Sequence, residues 1–391
     1  MSVYPNERTY EAMYRNVRFW KRELSDQILL SYYMGNILKN DGTIDLPGGK
    51  VSDNNPHLFD NYDRMFEIFL EDVTLEKNTS YKQQILDDDI RIPIAYPELD
   101  FGNGMPGAIF GGKVIATSSQ RRTHTFNEPV IKDWAQIKDL KFDRNNKWVK
   151  KIIDCLKFFV ANDKENNYLI RPFIVEEGAN FIVSIRGTTQ AFYDLVDNPP
   201  ELKGLYEIGY RVGSEFFEIK REIVKEHNAK VLGNKKFAEI APIHSVPLLD
   251  MDAYALCSPK IFKNIGFEYK QKILNHFGGG LFYIHALGSH IVPIAAHLDN
   301  LTEIFLHDDP NCLKYFDRRI EMRKQTFDIP LEMFCGYTEF MKALEEKTLP
   351  GGIKYIILLD DPKRFSIEFL NDLMKKVKKY RTKALMGKPK K

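Results

Sequence analysis

The fold class this sequence predicts is a (β/α)₈ barrel, eight parallel strands alternating with helices, preceded by a helical extension. Three observations lead there. From about residue 90, short apolar segments alternate with longer amphipathic ones, the pattern of a parallel sheet with helical crossovers. Acidic residues recur where the apolar segments end. The chain of 391 residues has room for one large barrel and an extension.

The strand candidates are 92–96, 168–175, 246–251, 280–285, 301–306, 330–334 and 354–359, which leaves the eighth strand to be found. Among the helices, residues 201–227 place Leu202, Leu205, Ile208, Val212, Phe216, Ile219 and Ile223 on one face, with Pro199 and Pro200 suited to its first turn. The last helix begins at Ser366, a good N-cap, and turns Ile367, Leu370, Leu373, Met374, Val377 and Tyr380 toward the core. Ahead of the barrel, residues 7–40 read as helical, since Tyr10, Met13, Val17, Trp20 and Leu24 recur at helical spacing. Residues 41–62 break that pattern with glycine, proline and asparagine, and a helix resumes near 63–71. The division is a helical extension over 1–89, a barrel over 90–381 and a basic tail over 382–391.

Composition is that of an ordinary globular chain, 43% hydrophobic and 28% charged. No apolar run approaches the roughly 20 residues that cross a bilayer, and the N-terminus has no signal-like stretch, so a cytoplasmic protein is expected. Four scattered cysteines without a CxxC pair fit a reducing compartment. The net charge of +2 conceals nine Lys/Arg and no acid after Met374; without them the body carries 47 basic against 54 acidic residues. A solvated helix end accounts for that run, so neither nucleic acid nor membrane is an expected partner.

Two glycine-rich runs invite nucleotide readings and fail them. Residues 102–107 (GNGMPG) match GxGxxG, but Gly111 and Gly112 follow too soon for a crossover helix. Gly278, Gly279 and Gly280 precede their strand instead of following it, and read as the end of a helix. HExxH, GxSxG and P-loop motifs are absent. His285, His290 and His297 do not share a helix face, so no metal ligands are assigned.

The strand ends are more informative. Asp100, Glu176 and Glu177, Asp250 and Asp252, His285, Asp308 and Asp309, and Asp360 and Asp361 each close an apolar segment. In a parallel barrel these ends share the face that carries chemistry. A single acid there is as well explained as a helix cap; the set predicts an acidic, titratable mouth in which carboxylates raise one another's pKa.

Four segments resemble one known superfamily. They are the spacer 134–148; SIRGTT at 184–189, followed by FYDL at 192–195 and Asn198-Pro199; LDMDA at 249–253, followed by CSPKIF at 257–262; and YIHALG at 283–288. Their order and spacing resemble the uroporphyrinogen decarboxylase superfamily from about residue 90 onward. The resemblance implies a barrel with a deep pocket for a tetrapyrrole or corrinoid. Thiol-methylating members bind zinc through a His-x-Cys pair and a later cysteine; here Leu287 stands where the first cysteine belongs and none stands near Leu359, so zinc is not favoured. The R-x-x-G-R motif of the haem-pathway enzyme is missing before Ile92, and an acid-lined mouth suits uroporphyrinogen badly.

The resemblance therefore points to the corrinoid-linked methyltransferase branch. It implies methyl transfer between a small molecule and a corrinoid on a partner protein, since the chain lacks a D-x-H-x-x-G motif. Glu176, Asp252 and His285 would be catalytic; Asp100, Glu177, Arg186, Asp250, Tyr254 and Asp360 would bind substrate. The alternatives are decarboxylation of a uroporphyrinogen-like tetrapyrrole and a non-catalytic corrinoid- or ligand-binding barrel.

Overall fold

The computed structural model describes residues 7–33, 57–76, 84–90, 92–118, 123–172, 177–197, 199–233, 246–359 and 364–383. In chain order the strands are β1 (Ile28–Tyr33), β2 (Ile94–Ala95), β3 (Val114–Ser118), β4 (Thr123–Asn127), β5 (Leu169–Ile170), β6 (Leu248–Asp250), β7 (Gly280–His285), β8 (Leu301–His307), β9 (Leu331–Gly336) and β10 (Ile353–Leu358). Six of them form one all-parallel sheet in the order β1-β10-β9-β8-β7-β6. Strands β2 and β5 form a separate parallel pair, and β3 and β4 an antiparallel hairpin.

The α/β class is as expected, but the closed eight-stranded barrel is not: among the described residues the strand ladders leave the sheet open. Prolines account for part of the gap. Pro93 precedes β2, Pro172 follows Arg171 at the end of β5, and Pro247 precedes β6. Proline has no N–H to give a ladder, so each shortens its strand. Two still contribute carbonyls, Pro93 to Leu169 N–H at 2.8 Å and Pro247 to Leu281 N–H at 2.9 Å.

The unassigned strand is β1, inside the stretch 7–40 that reads as helical. The helix covers only Glu7–Trp20. Arg22, in the left-handed region at φ 63°, turns the chain out of it. Ile28, Leu29 and Leu30 are all fully buried, so both faces of β1 are covered. A run buried on both faces shows no period-2 alternation and is easily read as more helix. Paired with β10 from Ile28↔Ile353 to Tyr33↔Leu358, it joins the sheet instead of covering it.

The helices follow the sequence more closely. The long one spans Pro200–Val231, and the last spans Ile367–Lys379 with the Ser366 side chain accepting from Phe369 N–H. Helix Phe267–Phe277 ends at Gly278, whose φ of 70° suits a residue without Cβ. Among the described residues no helix is long and apolar enough to cross a membrane.

Alternation across the sheet separates core from site. Phe282, Ile284, Ile304, Leu306, Met333 and Ile357 share one buried core with the helix residues Ile273, Phe340, Leu370 and Leu373. Burying each such side chain contributes roughly 1.5–3 kcal/mol. The opposite parity carries polar and aromatic groups in layers. Glu303, Glu332 and Lys354 form the lowest, with Lys354 Nζ 3.6 Å from Glu332 and Trp20 Nε1 donating to Glu303 at 2.7 Å. Above it Tyr283, Phe305 and Phe334 touch ring to ring, with centroids 5.3 and 5.5 Å apart. His285 and His307 form the top.

Candidate active site

Strands β6, β7 and β8 are neighbours, and their C-terminal residues are Asp250, His285 and His307. In the ladder His285 is the direct partner of His307, and their rings lie 5.1 Å apart. Tyr283, two residues earlier on the same face of β7, packs 4.9 Å from the His285 ring and 5.3 Å from that of His307.

The loop after β8 holds this layer in place. Asp309 Oδ1 lies 2.5 Å from His285 Nδ1, while its Oδ2 accepts from Leu287 N–H at 3.1 Å. Asp308 accepts from Tyr315 N–H at 2.8 Å, and Tyr315 Oη donates to the His285 carbonyl at 3.0 Å. On the other side, Asp252 Oδ1 stands 3.6 Å from His285 Nε2, and Asp252 N–H donates to Asp250 Oδ1 at 2.8 Å. His285 is thus flanked by one carboxylate at each ring nitrogen.

These contacts set the charge states. Partial desolvation and the neighbouring Asp250 push the Asp252 carboxyl up to about 7, against the opposing pull of His285. Burial, then Asp252 and Asp250, raises the Tyr283 phenol, which stays neutral. Burial, then His285, lowers the His307 imidazole. In chelator-treated protein, Asp250→Asn removes the like charge beside Asp252 and is expected to move its midpoint from near 7 toward the ordinary carboxylate range. Carbon-13 NMR titration of labelled aspartates reads that shift; an unmoved midpoint would mean that burial alone sets it.

Of the residues singled out from the sequence, Asp250, Asp252 and His285 come together here. Glu177 is nearby but fully buried, ion-paired with Lys270, whose Nζ also donates to the Asp250 carbonyl at 3.0 Å. That pair ties the segment after β5 to the end of β6. Tyr254 is 1% exposed, and its hydroxyl meets that of Tyr206 at 2.9 Å. Arg186 is committed to Asp194 at 2.7 Å and the Lys132 carbonyl at 2.8 Å, with Trp134 stacked 4.2 Å from its guanidinium carbon. Buried and paired, these three order the surroundings of the site in this conformation. Glu176 and Asp360 lie outside the described residues, as does the side chain of Asp100.

Two participants were not singled out as site residues. Asp309 was visible only as one of a pair of strand-end acids, and His307 not at all. The signal for His307 was its parity, since Glu303, Phe305 and His307 alternate along β8 as Tyr283 and His285 do along β7. Where the sequence leads to no metal ligands, the fold brings one donor atom each from His285, His307 and Asp309 within 4.8 Å of one another.

No family model matches the sequence, and no curated protein matches it either. A solved structure, a methyltransferase from Methanosarcina mazei, is similar at 12% identity and a TM-score of 0.40, over 70% of this chain and 77% of that one.

Proposed function

We propose that this chain is a methyltransferase that passes a methyl group between a small molecule and a corrinoid carried by a separate protein. The observation that carries the reading is the row Asp252–His285–Asp309 at the ends of adjacent parallel strands. It provides a proton acceptor beside an oriented imidazole on the sheet end where α/β proteins do chemistry. In the same reading, β2 and β5 are the remaining wall of a barrel, and the segments resembling the uroporphyrinogen decarboxylase superfamily mark its mouth.

The residues present fit a corrinoid, a broad macrocycle with largely apolar faces. Leu256, Leu287 and Leu313 lie on the segments that follow β6, β7 and β8 and are 67%, 57% and 72% exposed, apolar side chains open to a ligand on the loops that also carry Asp252 and Asp309. The corrinoid supplies a methyl–cobalt bond that a nucleophile can break. The chain's own part is to orient that nucleophile and manage its proton. When an acceptor Nu–H becomes Nu–CH₃, one proton is released; Asp252 receives it, and His285, fixed by Asp309, holds Asp252 and the acceptor in line. The reverse transfer returns the proton from Asp252 to the leaving group.

The test uses methylcobalamin as probe with a thiol, an amine and a tetrahydropterin as acceptors. Loss of the methyl–cobalt absorbance, with a methylated acceptor found by mass spectrometry, is expected for one acceptor class. Release of carbon dioxide from a tetrapyrrole carboxylate, with no methyl transfer, would assign the site to decarboxylation.

A further inference from the structure

We infer that Arg171, assisted by Ser31, binds the carboxylate of a small molecule inside the strand array, one layer above its apolar floor. The site stands on these two side chains, whether or not a methyl group passes to or from the ligand.

Strand parity puts the two residues in one layer. Leu29 of β1 and Leu169 of β5 share a buried cluster with Met13, Val17 and Trp20 of the helix Glu7–Trp20. Leu29 is the register partner of Lys354, and Trp20 donates to Glu303, so this cluster floors the face that carries the polar and aromatic layers. Ser31 and Arg171 each stand two residues farther along their chains, on the same face and one layer nearer the C-terminal strand ends. Ser31 is the register partner of Ile356, which pairs in turn with Phe334. Arg171 N–H donates to the Ala95 carbonyl at 3.0 Å, so the chain keeps its ladder geometry up to that residue.

Both side chains are buried with polar atoms unengaged. Arg171 is 7% exposed and Ser31 6%, and neither Arg171 Nη2 nor Ser31 Oγ has a hydrogen-bond partner. Among the described residues two other arginines are as deeply buried, and the fold engages both. Arg186 faces Asp194, and Arg323 donates to the Gly352 and Ile329 carbonyls at 2.9 and 2.6 Å. The acids nearest along the chain are committed elsewhere: Glu98, just past β2, holds Lys220 at 2.6 Å, and Glu177, past β5, holds Lys270. A buried guanidinium without a counter-charge is costly, and an entering anion supplies one. The planar arginine fork takes a carboxylate through parallel N–H bonds, and a serine hydroxyl adds a further donor. One guanidinium balances one negative charge, whereas a phosphate dianion would keep an unbalanced charge in the same buried layer. Under the proposed function, on which this clause alone rests, the small molecule that gives or takes the methyl group is a carboxylic acid.

The experiment titrates full-length protein into para-fluorobenzoate and, separately, its neutral counterpart para-fluorobenzamide, with binding read from fluorine NMR line broadening. The ring suits the layer formed by Tyr283, Phe305 and Phe334. The acid is expected to bind and the amide to bind at least about tenfold more weakly. Acetate should displace the acid, and inorganic phosphate at the same concentration should not. Arg171→Met should weaken binding of the acid by at least about 30-fold, and Ser31→Ala by about tenfold. Circular dichroism checks folding, and if Arg171→Met does not fold, Arg171→Lys, which keeps the charge and loses the fork, carries the comparison. No corrinoid is present, so a bound acid with no methyl transfer from methylcobalamin would sink the proposed function and leave this site standing. No broadening of the acid, equal binding of acid and amide, displacement by phosphate in place of acetate, or affinity indifferent to either substitution would each overturn the inference.

Discussion

Replacing Lys270 by methionine is expected to destabilise the protein by about 3–5 kcal/mol, because it leaves the Glu177 carboxylate buried without a counter-charge. Both side chains are 1% exposed, so water cannot substitute for the lost ammonium. The Asp250 carbonyl also loses its donor. Glu177 is itself shifted upward, first by burial and then against the pull of Lys270, so part of the cost can be relieved by protonation. The double change Glu177→Gln with Lys270→Met should therefore recover much of the loss. Urea unfolding of the two single variants and the double variant measures the coupling. Strict additivity would show that the pair is not a functional unit of the fold.

On the proposed function, Asp252→Asn is expected to lower the rate of methyl transfer by roughly 10²–10⁴-fold, since it removes the carboxylate assigned there as proton acceptor and preserves shape. The carboxylate is half exposed and at the start of a short turn, so thermal stability should hardly change. A kcat loss at unchanged unfolding temperature distinguishes a chemical role from a packing one. His285→Gln, which keeps a polar group but loses the ring flanked by two carboxylates, should lose activity as well. A variant lacking Asp252 with full kcat would remove it from the mechanism.

How much of this was legible in the sequence depends on the kind of signal. The helices at Pro200–Val231 and Ile367–Lys379 were readable because one face is apolar and the other charged. Most strands of the sheet were readable because they are short apolar runs with acids or histidine at the end. β1 was not, because Ile28, Leu29 and Leu30 are buried on both sides and carry no alternation. Closure into a barrel was inferred from segment number, which says nothing about the prolines that shorten β2, β5 and β6.

The site shows the same division. Asp250, Asp252 and His285 were found from position alone. That Arg186, Glu177 and Tyr254 are held by buried partners could not be read, since Asp194, Lys270 and Tyr206 lie on other elements or turns and meet them only in the fold. His307 was hidden for the opposite reason: its partner His285 is adjacent across a ladder whose register no local pattern specifies.

The most direct test of the central claim is where a corrinoid comes to rest. Cob(II)alamin carries an unpaired electron that broadens nearby nuclear resonances, and the nine histidines can be labelled selectively in their rings. Titrated into the protein, it is predicted to broaden the ring signals of His285 and His307 while His276, on the helix that leads into the start of β7, stays sharp. Sharp signals from His285 and His307 at saturating cobalamin, or broadening centred on His276, would contradict a corrinoid-facing site at the ends of β6, β7 and β8.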